Sequence, residues 1–178
     1  MNYTALFHHI HADFFEDEGI CTLPEDEIFD EQVLDLRSWQ EGAPVDCPAH
    51  ITFGFYKGDV AALQSAVREV EDDWPQYFTE TDDVFCAFDG DKIVSFCMLD
   101  DCGEYEGLRI GAPGCVGTLP AYRKQGIGLR MVQKATAILQ ERGYDLSWIH
   151  FTAVGHWYAR LGYETVLRWN AKGIVWQK

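Results

Sequence analysis

The run Arg123-Lys124-Gln125-Gly126-Ile127-Gly128 sets two cations and two glycines where an apolar extended segment gives way to an amphipathic helix. That combination suits an anion. The first turn of a helix leaves several backbone N–H groups without intrahelical partners, and the helix dipole adds roughly half a positive charge at that end. A phosphate or pyrophosphate is the natural ligand. Gly126 and Gly128 allow it to approach the backbone closely, and Arg123 and Lys124 supply charge. A P-loop would need Gly-Lys-Ser/Thr, whereas Gly128-Leu129-Arg130 follows here. A dinucleotide fingerprint would need a third small residue where Met131 stands, although Asp145 lies near the expected acidic position.

The elements that must position this run are legible around it. Ile127, Met131, Ala135 and Ile138, widened by Val132 and Leu139, form one apolar stripe, so the spacing predicts a helix from Ile127 that ends at Gly143. Upstream, Gly114 to Thr118 reads as a buried strand and Leu119 to Tyr122 as a connection in which Pro120 ends the pairing. Downstream, Tyr144 to Thr152 reads as a strand and Val154 to Leu161 as a short helix stopped by Gly162.

Two motifs in this order resemble the GNAT superfamily of N-acetyltransferases. The first is that family's acyl-CoA pyrophosphate loop, Arg/Gln-x-x-Gly-x-Gly/Ala, met at Arg123, Gly126 and Gly128. Alone, it fits any glycine-rich helix start equally well. The second is Trp157-Tyr158-Ala159-Arg160-Leu161-Gly162-Tyr163, with a tyrosine four residues before the glycine of a Leu-Gly-aromatic ending. The resemblance spans Ala49 to Lys178 and is specific over Gly114 to Tyr163. It implies acetyl-CoA as acetyl donor, held by Arg123, Lys124, Gln125, Gly126, Ile127, Gly128 and Leu129. It also implies oxyanion donors on the strand carrying Val116, Gly117 and Thr118, and Tyr158 as the acid that protonates the departing thiolate. Phe151 stands where family members commonly carry an asparagine that contacts the pantetheine arm, with Thr152 or His150 as substitutes.

An amine acceptor must lose a proton before or during attack on a thioester. Glu104, Asp101 and Asp100 are the candidate proton acceptors, Glu104 first, with His150 a further one. The resulting expectation is an N-acetyltransferase acting on a small-molecule primary amine by direct attack. A protein or peptide acetyltransferase and a non-catalytic acyl-CoA-binding module remain the alternatives.

Charge sharpens these assignments. The chain carries a net −15, but Met1 to Asp46 holds twelve acidic residues against Arg37, a local charge of −11. From Pro113 onward nine Lys and Arg face Glu141, Asp145 and Glu164, a local +6 that suits a polyanionic ligand. Nucleic acid is not an expected partner of so acidic a chain. No apolar run reaches the ~20 residues of a membrane span. Six cysteines without a Cys-x-x-Cys pair read as free thiols, so a cytoplasmic protein, monomer or homodimer, is expected.

The remaining segments complete an α/β arrangement on a mixed, mainly antiparallel sheet, the GNAT order. Ala49 to Tyr56 reads as a strand and Asp59 to Asp73 as a helix. Val84 to Phe88 and Lys92 to Leu99 form a hairpin through Asp-Gly, Asp100 to Glu106 is a polar loop, and one final strand covers Glu164 to Val175. Residues 1–46 read as an acidic extension or lid with a short helix from Phe29 to Trp39, ahead of an acetyltransferase domain over 47–178. His8, His9 and His11 read as a surface cluster in a mobile terminus, with no carboxylate or cysteine placed beside them, so no metal is expected.

Overall fold

A computed structural model describes Met1–Lys178 in full and shows an α/β fold with a mostly antiparallel sheet. Its strands are β1 Phe29–Asp35, β2 Ile51–Phe55, β3 Val84–Asp89, β4 Lys92–Tyr105, β5 Leu108–Thr118, β6 Leu146–Thr152, β7 Glu164–Asn170 and β8 Gly173–Gln177. Their hydrogen-bonded order is β2-β3-β4-β5-β6-β1-β7-β8. The helices are α1 Tyr3–Ile10, α2 Glu18–Cys21, α3 Val60–Arg68, α4 Ile127–Glu141 and α5 Gly155–Tyr158. Two compact units divide the chain: unit 1 is Met1–Trp39, Asp101–Gly111 and Gly143–Lys178, and unit 2 is Gln40–Asp100 and Ala112–Arg142.

Unit 2 is layered by strand alternation. Val84, Cys86 and Phe96 join Leu63 and Val67 of α3 and Phe78 in one core, while Ala87 and Val94 meet Ile127 of α4 in another. Alternation along β3 sends Cys86 and Ala87 to opposite faces, and a β-bulge at Val94, where the register shifts between Ala87↔Ser95 and Phe88↔Ile93, puts Val94 and Phe96 of β4 in different layers although they are two residues apart. Asp59 caps α3 by accepting from the Ala61 N–H at 2.8 Å. The helix ends at Arg68, five residues before the expected Asp73. Glu69, Glu71, Asp72 and Asp73 would have placed anions at the negative end of the helix dipole, which opposes continuation.

In unit 1, β1 is an interior strand. It pairs antiparallel with β6 on one side, as at Val33↔Trp148, and with β7 on the other, as at Glu31↔Leu167. The helix expected from Phe29 to Trp39 is therefore replaced by a strand. Val33, Leu34 and Leu36 are compatible with either period, and tertiary pairing decides. β6 also runs parallel to β5 at Ile110↔Leu146 and Gly111↔Ser147.

Two further expectations are corrected. Asp100–Glu106 is not a loop, because β4 continues through Tyr105 and turns into β5 at Glu106-Gly107, both left-handed at φ 52° and 78°. Such a two-residue turn matches the strand twist and closes a hairpin. The last strand is two, β7 and β8, separated where the Asn170 side chain accepts the Lys172 N–H at 2.9 Å.

One anion organises this part of the sheet. Glu31 is 0% exposed, and its carboxylate accepts the indole N–H of Trp148 on β6 at 2.7 Å and that of Trp169 on β7 at 2.8 Å, together with the Phe151 backbone N–H at 3.1 Å. Replacing it with an apolar residue strands three buried donors, each costing about 1–3 kcal/mol. Glu31→Leu is expected to lower unfolding free energy by about 3–5 kcal/mol in urea titration. A loss under 1 kcal/mol would show that the carboxylate does not anchor these strands.

Candidate functional site

The connection from β5 to α4 lies within unit 2 and is held at both ends. The Leu119 N–H bonds to the Val94 carbonyl at 2.9 Å, and Pro120–Tyr122 form a single 3₁₀ turn. The Tyr122 hydroxyl donates to Asp89 at 2.9 Å. Arg123 donates from Nε to the Thr118 carbonyl at 3.0 Å, and Gln125 donates to the Ala121 carbonyl at 3.3 Å. Both side chains tie the loop back on itself. Lys124 and Gly126 adopt left-handed conformations at φ 63° and 78°. For a lysine that conformation costs about 1 kcal/mol.

Gly126 then caps α4 without a side-chain hydrogen bond, and no acidic residue occupies the first turn. The first intrahelical bond is Arg130 N–H to the Gly126 carbonyl at 2.9 Å, so the N–H groups of Ile127, Gly128 and Leu129 have no intrahelical acceptor. With Arg123, Lys124 and Gln125 exposed beside them, these groups fit an anionic ligand.

Strand β5 reaches this loop through an irregular stretch. Cys115 sits at φ 45° in mid-strand, a left-handed conformation that interrupts the regular pleat. Its thiol is pushed up to about 11, by burial first and then by the carboxylate of Asp100. A Cβ on Gly117 would lie 2.3 Å from the Phe96 ring, and one on Gly114 would lie 2.2 Å from the Asp100 carboxylate. Both glycines thus admit side chains of β4 against the strand backbone. Ser95 donates to the Gly117 carbonyl at 2.6 Å and shares a 2.8 Å hydrogen bond with the Thr118 hydroxyl, which fixes the strand end. Asp100 is pushed up to about 6, by burial first and then by the neighbouring charge of Asp82.

The proposed contacts Val116, Gly117, Thr118 and Arg123 to Leu129 therefore lie in unit 2, together with Asp100. Tyr158, Glu104, Asp101 and His150 lie in unit 1. Tyr158 is buried at the end of α5, edge-on to Trp157 at 4.8 Å and Tyr163 at 6.1 Å. The short helix stops at Gly162, left-handed at φ 98°. Glu104 is exposed near the end of β4, and Asp101 accepts the Gly103 N–H at 2.9 Å.

The family model of the acetyltransferase (GNAT) domain matches residues 80–165, a span that holds both the anion loop and Tyr158. Over residues 80–165, a little under half of the chain, the sequence is thus similar to a GNAT acetyltransferase domain. The solved structures similar to this chain include a glucosamine N-acetyltransferase region of a fungal multi-domain GH3 beta-N-acetylglucosaminidase, at TM-score 0.66 and 18% identity over 80% of this chain and 20% of that one. A GCN5-related N-acetyltransferase from Sphaerobacter thermophilus aligns at TM-score 0.61 and 19% identity, covering 82% of this chain and 50% of that one. Another from Kribbella flavida gives TM-score 0.54 and 20% identity over 80% and 56%. The chain thus spans little more than half of the length of these proteins, or less, and the likeness concerns the fold. No curated protein matches the sequence. No helix is long and apolar enough to cross a membrane.

Outside the matched GNAT span, the N-terminal residues build a second cluster within unit 1. His8 and His9 are exposed as expected, but His11 is not a surface residue of a mobile terminus. Its ring stacks on His150 at 3.7 Å and 19°, and its Nε2 is buried without a hydrogen-bond partner. His150 Nδ1 in turn lies 2.9 and 3.0 Å from the two carboxylate oxygens of Glu31. A carboxylate is therefore present beside the histidines, contrary to the reading of the sequence.

Ligand atoms of His11, Glu31 and His150 lie within 4.8 Å of one another, the spacing of a metal site. The stacking opposes that use. A metal lies in the plane of each imidazole it binds, and two rings nearly parallel and face to face direct their lone pairs side by side. Glu31 already receives four N–H groups when His150 donates from Nδ1. The cluster is thus a histidine stack on a hydrogen-bonded carboxylate. The sequence does not announce it because His150 lies more than a hundred residues from both His11 and Glu31.

Burial, with the charge on His150 second, lowers His11 from 6.5 to about 3. Between these values the unfolded chain binds a proton that the folded chain refuses, so stability falls as pH falls below about 6.5, by up to about 1.4 kcal/mol per pH unit. In urea unfolding at pH 7 and pH 5, the wild-type protein is expected to lose more stability than His11→Phe. Equal losses would contradict a buried neutral His11.

Proposed function

We propose that this chain transfers the acetyl group of acetyl-CoA to a primary amine. The observation that carries the reading is the uncapped start of α4, with the left-handed pair Lys124 and Gly126 and the exposed cations around it. Arg123, Lys124 and the N–H groups of Gly126 to Leu129 would hold the pyrophosphate. The backbone of Val116, Gly117 and Thr118 would donate to the oxyanion that forms at the thioester carbonyl.

In the reaction, the amine nitrogen attacks the thioester carbonyl carbon, a C–N bond forms and the C–S bond breaks. The departing thiolate takes the hydroxyl proton of Tyr158, which solvent then replaces. For the proton lost by the amine we favour Asp100 over Glu104. Asp100 is half-buried against β5 with a carboxyl raised to about 6, so it is ionised yet basic at neutral pH, whereas Glu104 stands in open solvent. Phe151 in place of the family asparagine leaves the pantetheine arm to backbone contacts.

Tyr158→Phe is expected to lower kcat by about 10²-fold or more while acetyl-CoA affinity stays within about 2-fold. An unchanged kcat would remove Tyr158 from the reaction. Thiol release would be screened with amino sugars, polyamines, amino acids, aminoglycosides and peptides. Equilibrium binding of acetyl-CoA without thiol release across that panel would point to an acyl-CoA-binding module instead.

Asp100→Asn gives a two-sided test. Because burial raises this carboxyl, the folded protein loses stability as pH rises from 3.8 to about 6, and at neutral pH it carries a penalty of up to about 3 kcal/mol. The variant is therefore expected to unfold at higher urea at pH 7 while kcat falls, with the rise of activity through pH 6 abolished. Higher stability with unchanged turnover would leave Asp100 as a buried acid without a role in the reaction.

A further inference from the structure

The segment before β2 packs on the anion loop through a single buried amide. Gln133 lies two turns along α4 from the loop, on the stripe Gly126, Arg130, Gln133, and is 2% exposed. Its Oε1 accepts the Val45 N–H at 3.0 Å and the Arg130 guanidinium at 2.7 Å. Its Nε2 donates to the Ala43 carbonyl at 3.1 Å and, at 3.5 Å, to the Gly42 carbonyl. Arg130 also reaches Glu41 at 3.5 Å. An apolar side chain would be ordinary at this buried position. The amide instead binds three backbone groups of a neighbouring strap, the Gly42 and Ala43 carbonyls and the Val45 N–H.

The strap ends on the loop. A Cβ on Gly126 would lie 1.9 Å from the Asp46 carbonyl oxygen and 3.7 Å from Val45 Cγ1, so the strap backbone occupies the space a side chain would fill. The glycine that starts α4 is therefore required by Asp46 as well as by its φ of 78°. One flank of the loop is closed by protein, and an anion must enter from the other.

We propose that Gln133 is a positioning residue for the anion loop, holding the strap Glu41 to Asp46 against Gly126 so that the N–H groups of Ile127 to Leu129 are presented in one geometry. The proposal rests on the acetyl-CoA reading of that loop. Without the amide, the Val45 N–H and Ala43 carbonyl regain partners only by lifting into water, which withdraws Asp46 from Gly126.

The test pairs ligand-free amide exchange with acetyl-CoA titration. Gln133→Leu is expected to speed exchange at Gly126 to Leu129 by about 10-fold and to weaken acetyl-CoA binding by about 10-fold, with kcat at saturation within about 2-fold. Gln133→Glu keeps the acceptor for Val45 and the pairing with Arg130, and is expected to recover much of both losses. Should Gln133→Leu fail to fold, Val45→Pro removes the strap's donor without altering α4 and is expected to act in the same direction. Unchanged exchange and affinity in a folded variant overturn the proposal. Wild-type protein that binds no acetyl-CoA overturns the acetyl-CoA reading instead, and loop exchange then decides by itself whether Gln133 sets the loop.

Discussion

A fully buried carboxylate with no lysine or arginine beside its oxygens is an unusual thing to build a sheet around. Glu31 is tolerable because two indoles and a backbone amide point at it from β6 and β7, with His150 completing the set. The arrangement fixes more than charge. Each indole N–H has one direction, so satisfying both also fixes the rotamers of Trp148 and Trp169, two of the largest buried side chains in the chain. Phe14 then stacks edge-on to Trp169 and His150, which brings the N-terminal residues onto the same anion.

The other unit uses backbone proximity rather than charge. At Gly114, Gly117 and Gly126 the missing side chain is replaced by an Asp100 carboxylate, a Phe96 ring and an Asp46 carbonyl respectively. Left-handed residues gather in the same stretch, at Cys115, Lys124 and Gly126. Local conformational preference is violated repeatedly over a dozen residues, and violations of that kind concentrate where structure is shaped for a ligand.

The parts legible in the sequence are those whose signal is local. Helix α4 follows from its apolar stripe and closing Gly143, and the β3–β4 hairpin follows from Asp-Gly. The anion loop follows from charge and glycine at a helix start. What escaped depends on distant partners. Nothing within Phe29 to Asp35 announces a strand, because the donors that make Glu31 an interior residue are 117 and 138 positions away. Asp100 illustrates the same limit: its sequence neighbourhood reads as a polar loop, and only the glycine opposite it at position 114 makes room for a buried acid. Glycines within a strand are the one signal that could have marked this stretch for close approach.

The interior placement of β1 has a consequence for how the chain comes to be folded. A strand made early from the ribosome must wait, with both edges unpaired, until β6 and β7 have been synthesised more than a hundred residues later. Pairings of such sequence separation form slowly, since the intervening chain must be closed into a loop first. Until then Val33, Leu34 and the Glu31 carboxylate remain in water, so the anion that ends as the most enclosed charge of the sheet also keeps an exposed apolar strand soluble on the way there.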